Sequence, residues 1–284
     1  GGTISAAGFK YGSSANLTST TDVSSTATSG EYSEALTGLA MNETFYFHSY
    51  VTNESSTVSG DTLSFATVGP CQGVFAIDYL GHTYNLKEYG DACWFLDNLK
   101  TLTLSDAENT PILPFTIGQT TPFWQADVPQ YHATDNAPVD SYGAVYNWDA
   151  VASGHLCPSG WHVPSDQEWK NLEIHLGMTS SQANVGNAWR GTNQGTQMKS
   201  SSTDPIPGSM DGTNSSEFSA NLSYSLLNGQ SVSGAEFARS RYHSSTTNGW
   251  DLIMRFMQFG KSGVFRQTDS SRGIYGGYVR CIKD

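Results

Sequence analysis

Hydrophobic and polar side chains alternate in a stretch near the end of the chain, and this alternation predicts a strand. One row of the strand carries only apolar side chains, which favours a core position. The other row mixes charges, a β-branched side chain and a thioether, which is typical of a binding surface on an outward face. The apolar row and the mixed row are Trp250, Leu252, Met254 and Phe256, and Asp251, Ile253, Arg255 and Met257, respectively.

The first part of the chain holds short runs with the same two-residue period. The longest covers 45–51, and a Gly-Asp turn at 60–61 is predicted to lead into a further strand at 63–66. Short strands separated by turn residues predict an all-β sandwich over residues 1–68. A Gly-Pro pair after the last of these strands marks the junction to a second domain, over residues 69–284.

Two helices are predicted in the second domain. The first covers 142–152, where apolar side chains recur on one face. The second begins at Ser165, which forms a capping-box pattern with Glu168, and ends at Gly177. The polar, glycine-rich stretch 178–236 is predicted to be a long irregular loop, and long loops of this kind are usually functional or mobile. Trp124 and Trp189 lie in predicted loops and are candidates for exposed contacts.

The composition indicates a loop-rich, β-rich extracellular protein. Charged residues make up only 14% of the chain, while Gly, Ser, Thr and Asn are abundant. The net charge of −12 makes nucleic acid and anionic membrane surfaces poor partners, because both require a basic surface, and we predict no nucleic-acid partner. No apolar run approaches a membrane span, so no membrane insertion is expected. We expect the first residue to be a processing boundary inside a domain.

Four cysteines are present and none of them forms a CxxC pair, which argues against zinc or thioredoxin-like chemistry. An even number in a chain with a secreted composition favours two disulfides. We pair Cys71 with Cys93 and Cys157 with Cys281. The second bond closes a loop of more than a hundred residues, which the chain-entropy model values at about 4–5 kcal/mol.

The first domain resembles a bacterial fibronectin type III domain. The resemblance rests on GFKY at 8–11, LTGLAMNETFY at 36–46 and LSFAT at 63–67. It implies an incomplete fibronectin- or immunoglobulin-like sandwich, because the strands that normally precede Gly8 are absent. Two explanations stay open: these strands were cut away, or a neighbouring subunit donates a strand by β-augmentation.

Three ordered segments of the second domain are similar to the Fibrobacter succinogenes major paralogous domain. They are DYLGHTY at 78–84 with WFLDNLK at 94–100, YGAVYNW at 142–148 with CPSGWHVPSDQEW at 157–169, and YVRCIKD at 278–284. The resemblance covers about residues 72–284. It implies a C-type-lectin-like α+β fold on secreted or cell-surface bacterial proteins, mostly from Bacteroidetes-like organisms, with no established enzymatic activity.

Some members of this family have final strands that retroelements diversify, and we state this as a hypothesis for the present chain. In such proteins, anchor residues are kept while the positions between them vary. The anchor positions here are Trp250, Val264, Arg266, Val279, Arg280 and Cys281. The variable positions are Ala238, Arg239, Arg241, His243, Asp251, Ile253, Arg255, Met257, Gln258, Phe265, Gln267 and Asp269.

Catalytic chemistry finds no support in the sequence. The related formylglycine-generating enzymes use a cysteine pair, but Gly276 stands where the partner of Cys281 is required. The calcium-binding triplet of lectins needs a proline near the last strands, and none follows Pro207. Histidines at metal-ligand spacing and a GxSxG elbow are also missing. We therefore predict no enzyme activity, no catalytic residues, no cofactor and no metal.

The predicted function is that of a surface adhesin or ligand-binding protein whose partner is a protein or glycan on a host or neighbouring cell. Arginine, methionine and aromatic side chains are enriched at interfaces. The two alternatives are a structural subunit of a surface filament or pilus, and a carbohydrate-binding module of a larger glycanase. The predicted ligand-binding residues are Arg239, Arg241, Tyr242, His243, Asp251, Ile253, Arg255, Met257, Phe265, Gln267 and Asp269.

Overall fold

The computed structural model describes residues 3–25, 31–115, 127–133, 138–202, 211–227, 230–232, 238–269 and 276–284. The chain forms two compact units, Gly1–Gly73 and Val74–Asp284. The boundary between them therefore falls close to the Gly-Pro pair at 69–70. The described part of the chain is mostly β-structure with a few short helices.

The first unit contains one five-stranded antiparallel sheet. Its strands are β1 (Ile4–Gly12), β2 (Thr21–Ser25), β3 (Thr44–Asn53), β4 (Thr57–Ser59) and β5 (Leu63–Ala66). The order is β2-β1-β3-β4, and β5 also pairs with β3. The described residues of this unit do not include the second sheet that a sandwich requires.

The predicted turn at 60–61 is wrong, because β4 and β5 are successive parts of one edge along β3. Thr57–Ser59 pairs with one half of β3, and Leu63–Ala66 pairs with the other half in the same direction. Gly60 donates its backbone N–H to the carbonyl of Ser49 at 2.8 Å. A Cβ atom at Gly60 would lie 2.7 Å from the Ser49 hydroxyl, so a larger residue here would force that hydroxyl to rotate away.

The second unit contains fourteen further strands and all five helices that the structure describes. They are, in chain order, β6 (Ala76–Tyr79), β7 (His82–Tyr89), β8 (Ala92–Phe95), β9 (Leu113–Pro114), β10 (Gln130–His132), α1 (Val139–Tyr142), β11 (Val145–Tyr146), α2 (Trp148–Ala152), β12 (Trp161–His162), α3 (Asp166–His175), α4 (Ser180–Ala183), β13 (Ala188–Arg190), α5 (Gln194–Met198), β14 (Ser223–Leu227), β15 (Gln230–Val232), β16 (Ala238–Asn248), β17 (Asp251–Gln258), β18 (Val264–Asp269) and β19 (Ile282–Lys283).

The strands of the second unit form three sheets. A small sheet has the order β11-β10-β9, and a five-stranded sheet has the order β12-β19-β8-β7-β6. The largest sheet has the order β13-β18-β17-β16-β14-β15. The strand that the alternation near the end of the chain predicted is β17, and it lies in the interior of this largest sheet.

The single helix predicted over 142–152 is wrong. The chain instead forms α1, the short strand β11 and then α2. The break follows from Gly143, which has a φ of 90° and whose Cβ would lie 2.4 Å from the Cβ of Asn98. After β11, Asn147 caps α2 by accepting a hydrogen bond from the backbone of Ala150 at 3.1 Å.

The second predicted helix is confirmed as α3. The Ser165 hydroxyl accepts from the backbone of Glu168, and the Glu168 carboxylate accepts from the backbone of Ser165, which completes the capping box. The loop predicted over 178–236 is wrong in part, because this stretch contains α4, β13, α5, β14 and β15. Each of these elements is only three to five residues long and lies in a polar stretch, so no periodic hydrophobic pattern marks it in the sequence.

The predicted bond between Cys157 and Cys281 is present, with Cα atoms 5.8 Å apart. It joins the segment before β12 to the start of β19 across 124 residues of sequence. Cys71 and Cys93 are also disulfide-bonded, and none of the chain's four cysteines is free.

The main core of the second unit lies between α3 and the largest sheet. Trp169 of α3 packs its ring 5.1 Å from Trp94 of β8 and 5.5 Å from Tyr242 of β16. Its indole N–H donates to the carbonyl of His243 at 3.1 Å. One face of the largest sheet is therefore a core face, which determines the environment of every side chain along β16, β17 and β18.

Candidate ligand-binding face

The register of the three central strands assigns each side chain to one of two faces. Residues directly opposite each other in an antiparallel pair lie on the same face. Tyr242 of β16 is opposite Arg255 of β17, which is opposite Arg266 of β18. One position further along β17, Phe256 is opposite Arg241 and Phe265. We call the Arg255 side the inner face and the Phe256 side the outer face.

The mixed row that the sequence places outward lies on the inner face. Arg255 and Met257 are completely buried, and Ile253 is only 5% exposed. Tyr242 is also fully buried on this face, and only Asp251, at the start of the row, is partly exposed. The prediction of an outward binding surface is wrong for Tyr242, Ile253, Arg255 and Met257, because these side chains are buried in the core beneath the sheet. For Asp251 it stays a prediction.

The Arg255 side chain is held in a network of ion pairs. Its Nε donates to Glu173 at 2.8 Å, and one terminal nitrogen donates to the Asp166 carboxylate at 2.7 Å. Asp166 also accepts two hydrogen bonds from Arg266, both at 2.8 Å. Glu173 accepts two from Arg190, at 2.7 and 2.8 Å. The network therefore ties α3 to β13, β17 and β18.

The cations of this network determine the charge state of its carboxylates. Burial by itself raises the pKa of Asp166, but hydrogen bonds from Arg266 and the charge of Arg255 outweigh burial and hold that pKa well below its usual range. Lys170 adds a third cation at 3.0 Å. Asp166 therefore remains ionised in the folded protein, and the network acts as a structural clamp on α3.

The outer face is covered at one end. His243 is 1% exposed, and its Nε2–H donates to the carbonyl of Tyr146 at 2.9 Å. The Trp148 ring lies 6.4 Å from the His243 ring, and Met254 beside it is also buried. Burial lowers the pKa of His243 to about 4, so the imidazole is neutral at physiological pH. Because its side chain is only 1% exposed, the predicted role of His243 as a ligand contact is wrong.

The other end of the outer face carries three aromatic rings. Phe256 and Phe265 stack with their centroids 4.6 Å apart. Trp189 of the edge strand β13 meets both rings edge-on, at 5.3 and 5.4 Å. Trp189 and Phe265 are both partly exposed, whereas Phe256 is buried beneath them.

Three cations lie over these rings. The guanidinium groups of Arg239 and Arg241 lie 5.6 and 5.5 Å from the Phe256 centroid. Lys261, in the turn between β17 and β18, places its ammonium 5.9 Å from the Trp189 ring and is exposed. Such distances allow cation–π attraction. We call this group the cationic aromatic patch; its members are Trp189, Phe256, Phe265, Arg239, Arg241 and Lys261.

The predicted binding residues are therefore divided between the two faces and are not brought together. The structure places Gln267 on the outer face beside Met254 and pairs Asp269 with Leu252. Trp250, expected in the core row, lies in the turn before β17 and is 74% exposed. The predicted residues on the outer face are Arg239, Arg241, His243, Phe265 and Gln267.

The sequence identified Trp189 as a candidate exposed contact but placed it in a loop. It missed two members of the patch, because Phe256 was assigned to the core row and Lys261 was not considered. One signal in the sequence could have identified Phe256. Aromatic pairs are favoured at opposite positions of neighbouring strands, so Phe265 suggests an aromatic partner on β17. Trp124, expected as an exposed contact, lies outside the described residues.

A family model described as the Fibrobacter succinogenes major domain matches residues 88–283. This range includes α3, the largest sheet and the cationic aromatic patch. No curated protein and no solved structure matches the chain significantly. In the part of the chain that the structure describes, no helix is long and apolar enough to cross a membrane. Because the match covers more than half of its length, the chain belongs to the Fibrobacter succinogenes major domain family.

Proposed function

We propose that the chain is a non-enzymatic ligand-binding protein, secreted or on the bacterial cell surface, that contacts a protein or glycan through the cationic aromatic patch. The finer fold that we propose for residues 74–284 is C-type-lectin-like. One observation carries the proposal. The inner face of the largest sheet supplies the core, while three rings and three cations are gathered on the outer face with Trp189, Phe265, Arg239 and Lys261 still accessible to solvent.

The chemistry of the patch supports recognition. Aromatic and arginine side chains are enriched at interfaces and dominate their binding energy. Strands on a packed core hold Trp189 and Phe265 in place, so binding costs little conformational entropy. The disulfides are compatible with an oxidising, extracellular environment.

Binding to glycan arrays and to arrays of extracellular proteins tests the proposal. We expect Trp189→Leu and Lys261→Met each to weaken the strongest wild-type interaction at least tenfold. The matched control is Lys10→Met, which removes a lysine 5.5 Å from the Tyr50 ring in the first unit. If both patch variants bind as wild type does, the patch is not the binding surface.

A filament or pilus subunit is the second candidate function, and an apolar cavity in the first unit favours it. The cavity has a volume of about 140 Å³ and is lined by Phe9, Glu34, Leu36, Phe47 and Phe65. A strand from a second copy of the chain would cover it, in the manner of donor-strand complementation. Light scattering over a range of concentrations is the test, and a chain that stays monomeric at all of them argues against this candidate.

A further inference from the structure

A small polar cavity in the second unit shares no residue with the cationic aromatic patch. Its volume is about 50 Å³. It lies where four segments meet: the residues after β8, the end of α1, the loop before β14, and Arg280. Three of these segments belong to the sequence blocks at 94–100, 142–148 and 278–284. The blocks that identify the family thus converge on one cavity.

One part of the cavity wall, around Arg280, is held in place by hydrogen bonds and ring contact. Arg280 is 2% exposed, and its guanidinium carbon lies 4.1 Å from the centroid of the Phe218 ring. Its Nε donates to the amide oxygen of Asn98 at 2.9 Å, and a terminal nitrogen donates to the carbonyl of Phe218. Asn98 in turn donates to the carbonyl of Tyr142 at 2.8 Å. This part of the wall is therefore preorganised, which lowers the entropic cost of binding a ligand against it.

Several polar groups of the lining are available to a ligand. One carboxylate oxygen of Asp97 accepts from the backbone and side chain of Asn85, at 2.7 and 3.0 Å. The other carboxylate oxygen makes no hydrogen bond with any described residue. The same holds for the Lys100 ammonium, the Ser141 hydroxyl and the Asn221 amide. The cavity thus presents an anionic acceptor, a cationic donor, and two groups that both donate and accept.

We propose that this cavity binds the hydroxyl edge of a neutral sugar. A hydroxyl both donates and accepts, so neighbouring hydroxyls can donate to Asp97 and accept from Lys100 while they bond to Asn221. A water-sized group needs about 10–15 Å³ of such space, so the cavity holds roughly three or four hydroxyls. A free amino acid with a hydrophobic side chain fits less well, because the lining is almost entirely polar.

Saturation-transfer NMR and titration calorimetry on the full chain test this site. The probes are glucose, galactose, mannose, fucose and N-acetylglucosamine, with free glycine and alanine for comparison. We expect at least one sugar to bind saturably in the millimolar range, and Asn221→Leu and Lys100→Met each to weaken it at least tenfold. The matched control is Asn171→Leu on α3, whose side-chain oxygen accepts a hydrogen bond from Gln167 at the surface, away from the cavity lining.

Three results would overturn the proposal: no saturable sugar binding, sugar binding that survives both cavity variants, or an amino acid that binds in place of the sugars. Tryptophan fluorescence melting checks that each variant is folded, and Lys100→Met decides the question if Asn221→Leu is unstable. Trp189→Leu should leave this sugar binding unchanged. The experiment therefore distinguishes a failure of the proposed sugar site from a failure of the proposed binding role of the cationic aromatic patch.

Discussion

Replacing Arg255 by methionine should destabilise the second unit without removing a binding contact. Methionine keeps most of the length of the side chain but removes its charge and its three hydrogen bonds. Those bonds reach the Glu173 carboxylate at 2.8 Å and the carboxylate and carbonyl of Asp166 at 2.7 and 3.2 Å. All three residues are at least nine-tenths buried, so water cannot replace the lost bonds.

The expected loss of unfolding free energy depends on the ion pairs that Glu173 and Asp166 keep in the variant. Breaking a buried ion pair by removing one partner costs about 3–5 kcal/mol. Here Glu173 keeps two hydrogen bonds from Arg190, while Asp166 keeps Arg266 and Lys170. Neither carboxylate is left without a cation, so we expect the lower end of the range, about 3 kcal/mol. For a unit of this size that corresponds to a fall in Tm of about 6–12 °C.

Tryptophan fluorescence is the suitable assay, because all seven tryptophans lie in the second unit and none lies in the first. The unfolding of the second unit can therefore be followed alone, by heat and by urea. Lys261→Met is the control: the side chain is exposed, so its effect should stay within about 0.5 kcal/mol.

The reciprocal variant Glu173→Gln should be at least as costly as Arg255→Met, because it leaves four cations facing the single carboxylate of Asp166. A Tm for Arg255→Met within about 2 °C of wild type would refute the reasoning. Arg255 would then not be holding α3 to the sheet.

Two further predictions concern the segments around α3 and β19. Hydrogen bonds to Glu168 and Asp284 raise the pKa of His162 to about 9. The stability that protonated His162 adds to the folded protein is therefore fully present below its pKa in the unfolded chain, near 6.5, and is lost as the pH rises through about 9. His162→Asn should therefore lower the free energy of unfolding at pH 6 by at most about 1 kcal/mol, because the ion pair between His162 and Glu168 is partly exposed. At pH 10 it should have no effect. Urea titrations at both pH values test this, and an equal loss at both would contradict it. The double variant Cys157→Ser, Cys281→Ser should lose about 2–5 kcal/mol of unfolding free energy in the same titrations, and an unchanged urea midpoint would show that the bond contributes nothing.

Local signals predicted the parts of the fold that depend on few residues. The capping box of Ser165 and Glu168 acts within four positions, so the sequence alone placed the start of α3 correctly. The helix predicted over 142–152 failed for the opposite reason. Its periodicity was suitable, but the break comes from the contact of Gly143 with Asn98, which is distant in sequence.

In the candidate site, too, local patterns were visible in the sequence, but contacts between distant residues were not. Alternation along β17 revealed two rows of side chains but could not show which row faces the core. Arg255 looked like a surface residue because its partners Glu173 and Asp166 are 82 and 89 positions away. Trp189 seemed isolated because its contacts with Phe256 and Phe265 form only through the pairing of β13 with β18.

By itself, the sequence determined the family, the pairing of Cys157 with Cys281, the capped helix α3 and the presence of the final strands. These features rest on residue identity and on short-range hydrogen bonds. The tertiary structure alone decided which face of the largest sheet is buried and which rings and cations meet on the other. Strand register makes that choice, because a shift of one residue moves every side chain of a strand to the opposite face.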